Sequence, residues 1–281
     1  MNTSHQPLSK TELRDGLAKA REILAETRAL IVDAFAKEFE YRRKADQTWV
    51  TEIDLAVERL MRTRLAEQFP QHGIIGEEFA DQNRMAEFTW VVDPIDGTAS
   101  LRHRVPLFGT ILALRQGERP LLGLIDLPML GRLYSGGSGL GVWCNDRALH
   151  IPDASSDFPE AASSTSDSSA SSEMISIGGR GAFVSAGAPQ VFDDLMRRHR
   201  PARTYTDCFG HSLALEGSVG AMVDFDLRFW DIAATQALIP EAGGKFVCWR
   251  QRGANAVEAR FDIIFGKPRV VDWILRTLEL R

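Results

Sequence analysis

From Ser9 to Lys37 the apolar residues Leu13, Leu17, Ile23, Leu24, Leu30, Ile31 and Phe35 return every three or four places. That period puts them on one side of a helix, and Ser9 followed by Glu12 supplies a capping box for its start. A second helix is expected from Thr51, with Asp54 in its first turn and Ile53, Val57, Leu60, Met61 and Leu65 as its apolar face. Pro70 lies just beyond its end. The period then changes. Residues 73–77, 90–93, 110–114, 121–126, 133–135 and 142–145 are short apolar or alternating runs between turn residues, which read as strands. Residues 1–150 therefore read as two helices followed by a mainly antiparallel sheet.

Residues 153–173, rich in Ser, Ala and Asp, read as a long surface loop. Strand and helix alternate after it. Strands are expected at 183–185, 221–225, 245–249 and 262–266, and helices at 189–199, 211–219, 231–242 and 268–280. Residues 151–281 thus form a second, α/β part.

With 281 residues, 44% hydrophobic and 25% charged, the chain has room for one large domain or two modest ones. That composition excludes a collagen-like, disordered or disulfide-framework protein. The net charge of -5 and the lack of a basic run argue against a nucleic-acid partner. No run approaches the roughly 18 apolar residues of a membrane span. Residues 1–10 carry no apolar signal segment, so a cytoplasmic protein without a membrane partner is expected. Cys144, Cys208 and Cys248 are scattered, with no metal-finger spacing, and read as reduced thiols.

The candidate chemistry is acidic. Three separate segments deliver carboxylates where the chain leaves an expected strand or enters a helix: Glu77-Glu78, Asp93-Pro94-Ile95-Asp96-Gly97-Thr98, and Trp230-Asp231. Gathered acids repel unless a cation compensates, and an oxygen-only donor set favours Mg²⁺ over Zn²⁺. Asp93 and Asp96 stand three residues apart across a turn stiffened by Pro94, with the Ile95 carbonyl as a further oxygen. Gly97 permits close backbone approach, and the amides of Gly97 to Ser100 would face an anion if a helix starts there. The Thr98 hydroxyl is placed to orient a water. Taken singly, each acid is ordinary: Asp231 alone is most often a helix cap and Asp54 a first-turn charge. Trp90 and Trp230 read as packing residues that hold these turns, and His103 and His211 as loop and cap residues rather than bases.

Together these segments resemble the lithium-sensitive phosphomonoesterases of the inositol monophosphatase superfamily. The matching stretches are Gly76-Glu77-Glu78, WVVDPIDGT at 90–98, WDIAA at 230–234 and EAGG at 241–244. Lys44, Asp46, Thr51 and Asp54 match that family's N-terminal motif. The resemblance implies a layered αβαβα sandwich of α/β class, usually a homodimer, acting on a small phosphate monoester with two or three Mg²⁺ ions. It implies that Glu77, Asp93 and the Ile95 carbonyl hold one metal, and Asp93, Asp96 and Asp231 a second, with Glu77 also touching a third. Thr98, backed by Asp54, matches the pair that activates the attacking water. Gly97, Thr98 and the neighbouring Ala99 match the phosphate cradle. Asp224 falls where the family places an acid for the substrate's hydroxyls or amine.

Substrate identity stays open at this level. The run 105–110, and Asp207-Cys208-Phe209, resemble histidinol-phosphate phosphatases, whereas Ala99 and Leu101 depart from that subgroup. Histidinol phosphate and myo-inositol monophosphate stand nearly level. Fructose-1,6-bisphosphate and 3′-phosphoadenosine 5′-phosphate come lower. Arg102-His103-Arg104 is either an anion-binding patch or a solvated loop. The non-enzymatic alternative, a binding module that keeps the fold, has no need to retain all of these acids.

Overall fold

The computed structural model describes residues 8–45, 48–158, 172–199, 201–253 and 259–279. Its Cα packing divides into two units: the chain up to Ala148 with Ala233–Glu241, and Leu149–Ile232 with Ala242 onward. Among the described residues no helix is long and apolar enough to cross a membrane. Cys144 and Cys208 are buried, Cys248 is exposed, and no disulfide joins any of the three.

In the first unit α1 (Lys10–Phe35) starts at the Ser9 capping box, where Ser9 N donates to the Glu12 carboxylate (2.8 Å) and Glu12 N to Ser9 Oγ (3.3 Å). A short hairpin follows, β1 (Tyr41–Arg43) and β2 (Trp49–Thr51), leading into α2 (Glu52–Gln68). Next come β3 (Gly73–Gly76), β4 (Phe88–Asp96), the short helix α3 (Thr98–Arg102), β5 (Gly109–Gln116), β6 (Arg119–Leu127), β7 (Arg132–Gly137), β8 (Gly141–Cys144) and β9 (Arg147–Leu149). The seven strands from β3 to β9 lie side by side in chain order. β3 pairs parallel with β4, and β4 through β8 pair antiparallel. Helices α1 and α2 pack together and on this sheet. Ile23, Leu24 and Ile31 of α1, Val57 and Met61 of α2, and Trp90, Leu112, Leu122 and Leu124 of the sheet share one core. Trp90 is fully buried against Phe69, the packing role expected of it.

The second unit holds β10 (Ile175–Ile177), α4 (Arg180–Ser185), α5 (Pro189–Arg198), β11 (Ala202–Arg203), α6 (Asp207–Leu215), β12 (Ala221–Leu227), β13 (Lys245–Arg252), β14 (Arg260–Gly266) and α8 (Pro268–Glu279). Its sheet runs β11-β10-β12-β14-β13, with β10 parallel to both neighbours and β14 antiparallel to both of its own. Helix α7 (Phe229–Glu241) starts in the second unit and ends in the first.

Several expectations need correction. Residues 183–185 are helical in α4, not a strand, because Phe183 points inward to stack on Phe225 at 4.3 Å. Packing there overrides the strand preference of Phe and Val. Helix α6 spans Asp207–Leu215 rather than 211–219. Gly210 is the residue that lets it start early, since a Cβ there would meet the Tyr205 carbonyl at 2.3 Å. Strand β4 does not stop at Asp93 but runs through Pro94 to Asp96. Of the serine-rich stretch, 159–171 lies outside the described residues. Its flanks are tied together: Ser172 N donates to Asp157 (2.7 Å), and Glu173 forms a buried pair with Lys267 (2.9 Å).

Candidate active site

The first unit builds its site on β4. Asp93 lies opposite Ile111 of β5 and Asp96 opposite Gly109, so three steps along β4 match two along β5. This is a bulge, and it is where a strand tolerates a proline that has no amide to donate. Thr110 Oγ1 donates to the Pro94 carbonyl (2.9 Å) and fixes the bulge. Asp93 and Asp96 are both buried, and each offers a carboxylate oxygen within 4.8 Å of the other's. Gly97 then turns the chain with φ +89°, a left-handed conformation that favours glycine. Helix α3 opens without a side-chain cap, and its first helical bond runs from Leu101 N to Gly97 O (3.1 Å). The amides before Leu101 have no acceptor inside this helix.

Thr98 begins α3 and joins it to α2. Its hydroxyl lies 3.0 Å from both Asp54 Oδ1 and the Ile95 carbonyl, sharing one proton between them. Asp54 is fully buried at the third position of α2. Its other oxygen accepts from Thr51 N (2.9 Å) and the Thr51 hydroxyl, while Thr51 Oγ1 caps Ile53 N (3.1 Å) and Asp54 N (3.3 Å). Burial dominates and pushes the Asp54 carboxyl up to about 6, against the pull of the threonine hydrogen bonds. The nearby charge of Glu77 adds to the rise.

Glu77 and Glu78 leave the end of β3. Lys44, at the turn of the β1–β2 hairpin, bridges them at 2.8 and 2.6 Å. Burial and then the Glu77 charge push Glu78 up to about 7, with Lys44 opposing. Burial works against the Lys44 ammonium, but the two glutamates outweigh it and hold its pKa above the ordinary value. Beneath them Glu58 is fully buried, accepts from Glu78 N (2.8 Å), and pairs with Arg62 (2.8 Å). These two supports, Glu58 and Arg62, escaped the sequence reading. Their only signal was opposite charge at i,i+4 on a helix. Asp46 lies outside the described residues.

The arginines of the basic segment after Thr98 are engaged by the chain itself. Arg104 donates to the Phe35 and Lys37 carbonyls, and Arg102 lies over the Trp49 ring. His103 is an exposed loop residue beside Arg102 (3.2 Å).

In the second unit Asp224, on β12, is buried, with Oδ1 accepting from Phe225 N (3.0 Å). Gly178 makes room for it, since a Cβ there would sit 2.0 Å from that oxygen. Asp207 opens α6 with φ +56°, and its carboxylate accepts from the Thr206 hydroxyl (3.0 Å). Burial, and then the Asp224 charge, raise the Asp207 carboxyl well above the ordinary range. His211 Nε2 stands 3.8 Å from Asp224 Oδ2, and its ring meets Phe265 edge-on at 4.9 Å. Asp231 sits in the first turn of α7 and accepts from Arg228 N (2.7 Å), the capping duty expected of such a residue.

Thus the first unit links Asp54, Thr98 and the Ile95 carbonyl by hydrogen bonds and sets the Asp93 and Asp96 carboxylates close together. Glu77 lies within electrostatic reach of Asp54. Every donor is oxygen, which suits a hard divalent cation such as Mg²⁺.

The family model described as the inositol monophosphatase family matches residues 12–278. A histidinol-phosphatase of Chlorobaculum parvum is 31% identical over 242 residues, 86% of this chain and 88% of that one. A fructose-1,6-bisphosphatase/inositol-1-monophosphatase of Aquifex aeolicus is 28% identical over 236 residues, 84% of each chain. Among solved structures, an IMPase/NADP phosphatase complexed with Mg²⁺ and phosphate superposes with a TM-score of 0.78, 21% identity, and coverage of 96% of this chain and 97% of that one. The fold is accordingly the mixed α/β fold of inositol monophosphatases. The chain belongs to the inositol monophosphatase family and is a phosphoric monoester hydrolase.

Proposed function

We propose that the protein hydrolyses histidinol phosphate, or a closely similar cationic phosphate monoester, with Mg²⁺. The Asp93–Asp96 bulge with its Thr98–Asp54 link supports the reaction, and half-buried Asp207 with buried Asp224 supports the substrate. Glu77, Asp93, the Ile95 carbonyl, Asp96 and Asp231 would hold the metal, in two or three ions. Held by these residues, the metal would supply charge neutralisation at the phosphoryl oxygens and a lowered pKa for water.

This chain's own residues supply the rest. The first-turn amides of α3, at Gly97, Thr98 and Ala99, grip the phosphate. Thr98 Oγ1 accepts a proton from the attacking water while passing its own to Asp54 Oδ1. The raised Asp54 carboxyl, at about 6, is close to neutral pH, where a proton acceptor works well. Asp231→Asn is expected to lower turnover on the order of 10³-fold at saturating Mg²⁺.

The substrate reading rests on electrostatics. Half-buried Asp207 and buried Asp224 gather negative charge, with burial and then the Asp224 charge raising the Asp207 carboxyl. His211 stands near one of them. Histidinol carries an amine and an imidazole, which answer that charge; myo-inositol offers hydroxyls alone. The histidinol-phosphatase relative agrees with this choice. A phosphate-release assay over histidinol phosphate, myo-inositol monophosphate, fructose-1,6-bisphosphate and 3′-phosphoadenosine 5′-phosphate tests it. Histidinol phosphate should lead, and Asp224→Asn should raise its KM by roughly tenfold or more, consistent with loss of one charged hydrogen bond. Equal or higher kcat/KM on inositol phosphate would overturn the substrate assignment.

A further inference from the structure

The β1–β2 hairpin holds Lys44 against Glu77 and Glu78, yet a two-stranded ribbon is marginally stable alone. Its strand ends are tied down: Glu52 N donates to the Glu40 carbonyl (3.1 Å), and Thr51 caps α2. Its turn is closed by Lys44 N donating to Thr48 O (2.8 Å). Between these points the pairing Tyr41↔Thr51 and Arg43↔Trp49 puts Tyr41, Arg43 and Trp49 on one face. The Arg102 guanidinium covers that face. Its central carbon lies 3.9 Å from the Trp49 ring centroid and 4.7 Å from that of Tyr41. The two rings meet edge to face at 5.8 Å. Arg102 is the last residue of α3, the helix that opens at Thr98.

We propose that Arg102 is a positioning residue: by stacking on Tyr41 and Trp49 it fastens the hairpin to α3, and so keeps Lys44 seated between Glu77 and Glu78. The planar, delocalised guanidinium suits this stack better than a hydrated ammonium. With both rings against it, Arg102 is a structural clasp rather than a free anion contact. Seating Lys44 matters because two adjacent carboxylates otherwise repel and swing apart. The consequence for turnover rests on the reading that Glu77 belongs to the active site.

The test pairs hydrogen exchange with a double-mutant cycle. In Arg102→Ala, exchange in residues 40–52 should quicken by about tenfold, while the strands of the first unit keep their protection. Arg102→Lys should fall between. Loss of Arg102 should cut kcat/KM by roughly tenfold in the native background and by less than about twofold in a Lys44→Met background. Unchanged exchange across 40–52 overturns the clasp. Losses that multiply in the double variant overturn its action through Lys44. Failure of the phosphatase reading would show separately, as no turnover by the unaltered protein, and the exchange experiment would still decide on Arg102.

Discussion

Asp54 joins the capping of α2 to the orientation of Thr98, and these two duties pull its energetics in opposite directions. Burial raises its carboxyl from 3.8 to about 6, so the folded chain holds that proton more tightly than the unfolded chain does. Stability from this source is full below the ordinary carboxyl range and is lost as pH rises through about 6. Asp54→Asn keeps the shape and removes the cost of the buried charge. The Thr98 hydroxyl then has the Ile95 carbonyl as its acceptor. In metal-free buffer the variant should gain up to about 3 kcal/mol over the native chain between pH 5 and pH 8, read by denaturant melts. The same variant should lose activity by about 10² to 10³-fold, and native activity should climb with pH through about 6. A native pH–rate profile flat from pH 5 to pH 8 would contradict the role given to Asp54.

Among the elements, β3 and α2 depend on one glycine. A Cβ on Gly76 would meet Glu58 Oε1 at 2.1 Å and Arg62 at 2.8 Å, both part of the buried pair beneath Glu77. Gly76→Ala should cost about 2–4 kcal/mol in chemical denaturation, because it displaces a paired buried charge. A loss below 0.5 kcal/mol would show that the pair relaxes freely. The same scale shows what the sequence made legible. Helices α1 and α2 announced themselves through a clean 3.6 period; the capping box expected at Ser9 forms, and the structure adds a second one between Thr51 and Asp54. The apolar run that marks β4 stops at Asp93, and the bulge pinned by Thr110, which carries the strand on to Asp96, is a tertiary feature that no local pattern reveals. The β1–β2 hairpin was missed because its polar strands show no alternation and its support comes from Arg102, far along the chain. In α4 the short run Phe183-Val184-Ser185 has strand propensity, and the packing of Phe183 on Phe225 and Phe192 decides otherwise. The Asp93–Thr98 run itself is plain, since its residue types sit next to one another in the sequence. The supports Glu58 and Arg62 were hidden, for a buried ion pair looks like any surface pair until burial is known.

For the molecule as a whole, cation binding should couple to folding, because ligand carboxylates gathered in the native state are dispersed in the unfolded one. Mg²⁺ at a hundred times its dissociation constant should add about 2.7 kcal/mol of stability per site, and Asp93→Asn should remove most of that gain. Identical thermal melts in Mg²⁺ and in chelator would count against a built cation site. Phosphate release from histidinol phosphate, followed against Mg²⁺ concentration for the native chain and Asp93→Asn side by side, tests the metal-dependent hydrolysis outright. Turnover should require Mg²⁺ and fall on the order of 10³-fold or more in the variant. Turnover that survives chelation, or that Asp93→Asn leaves intact, would contradict metal-dependent hydrolysis.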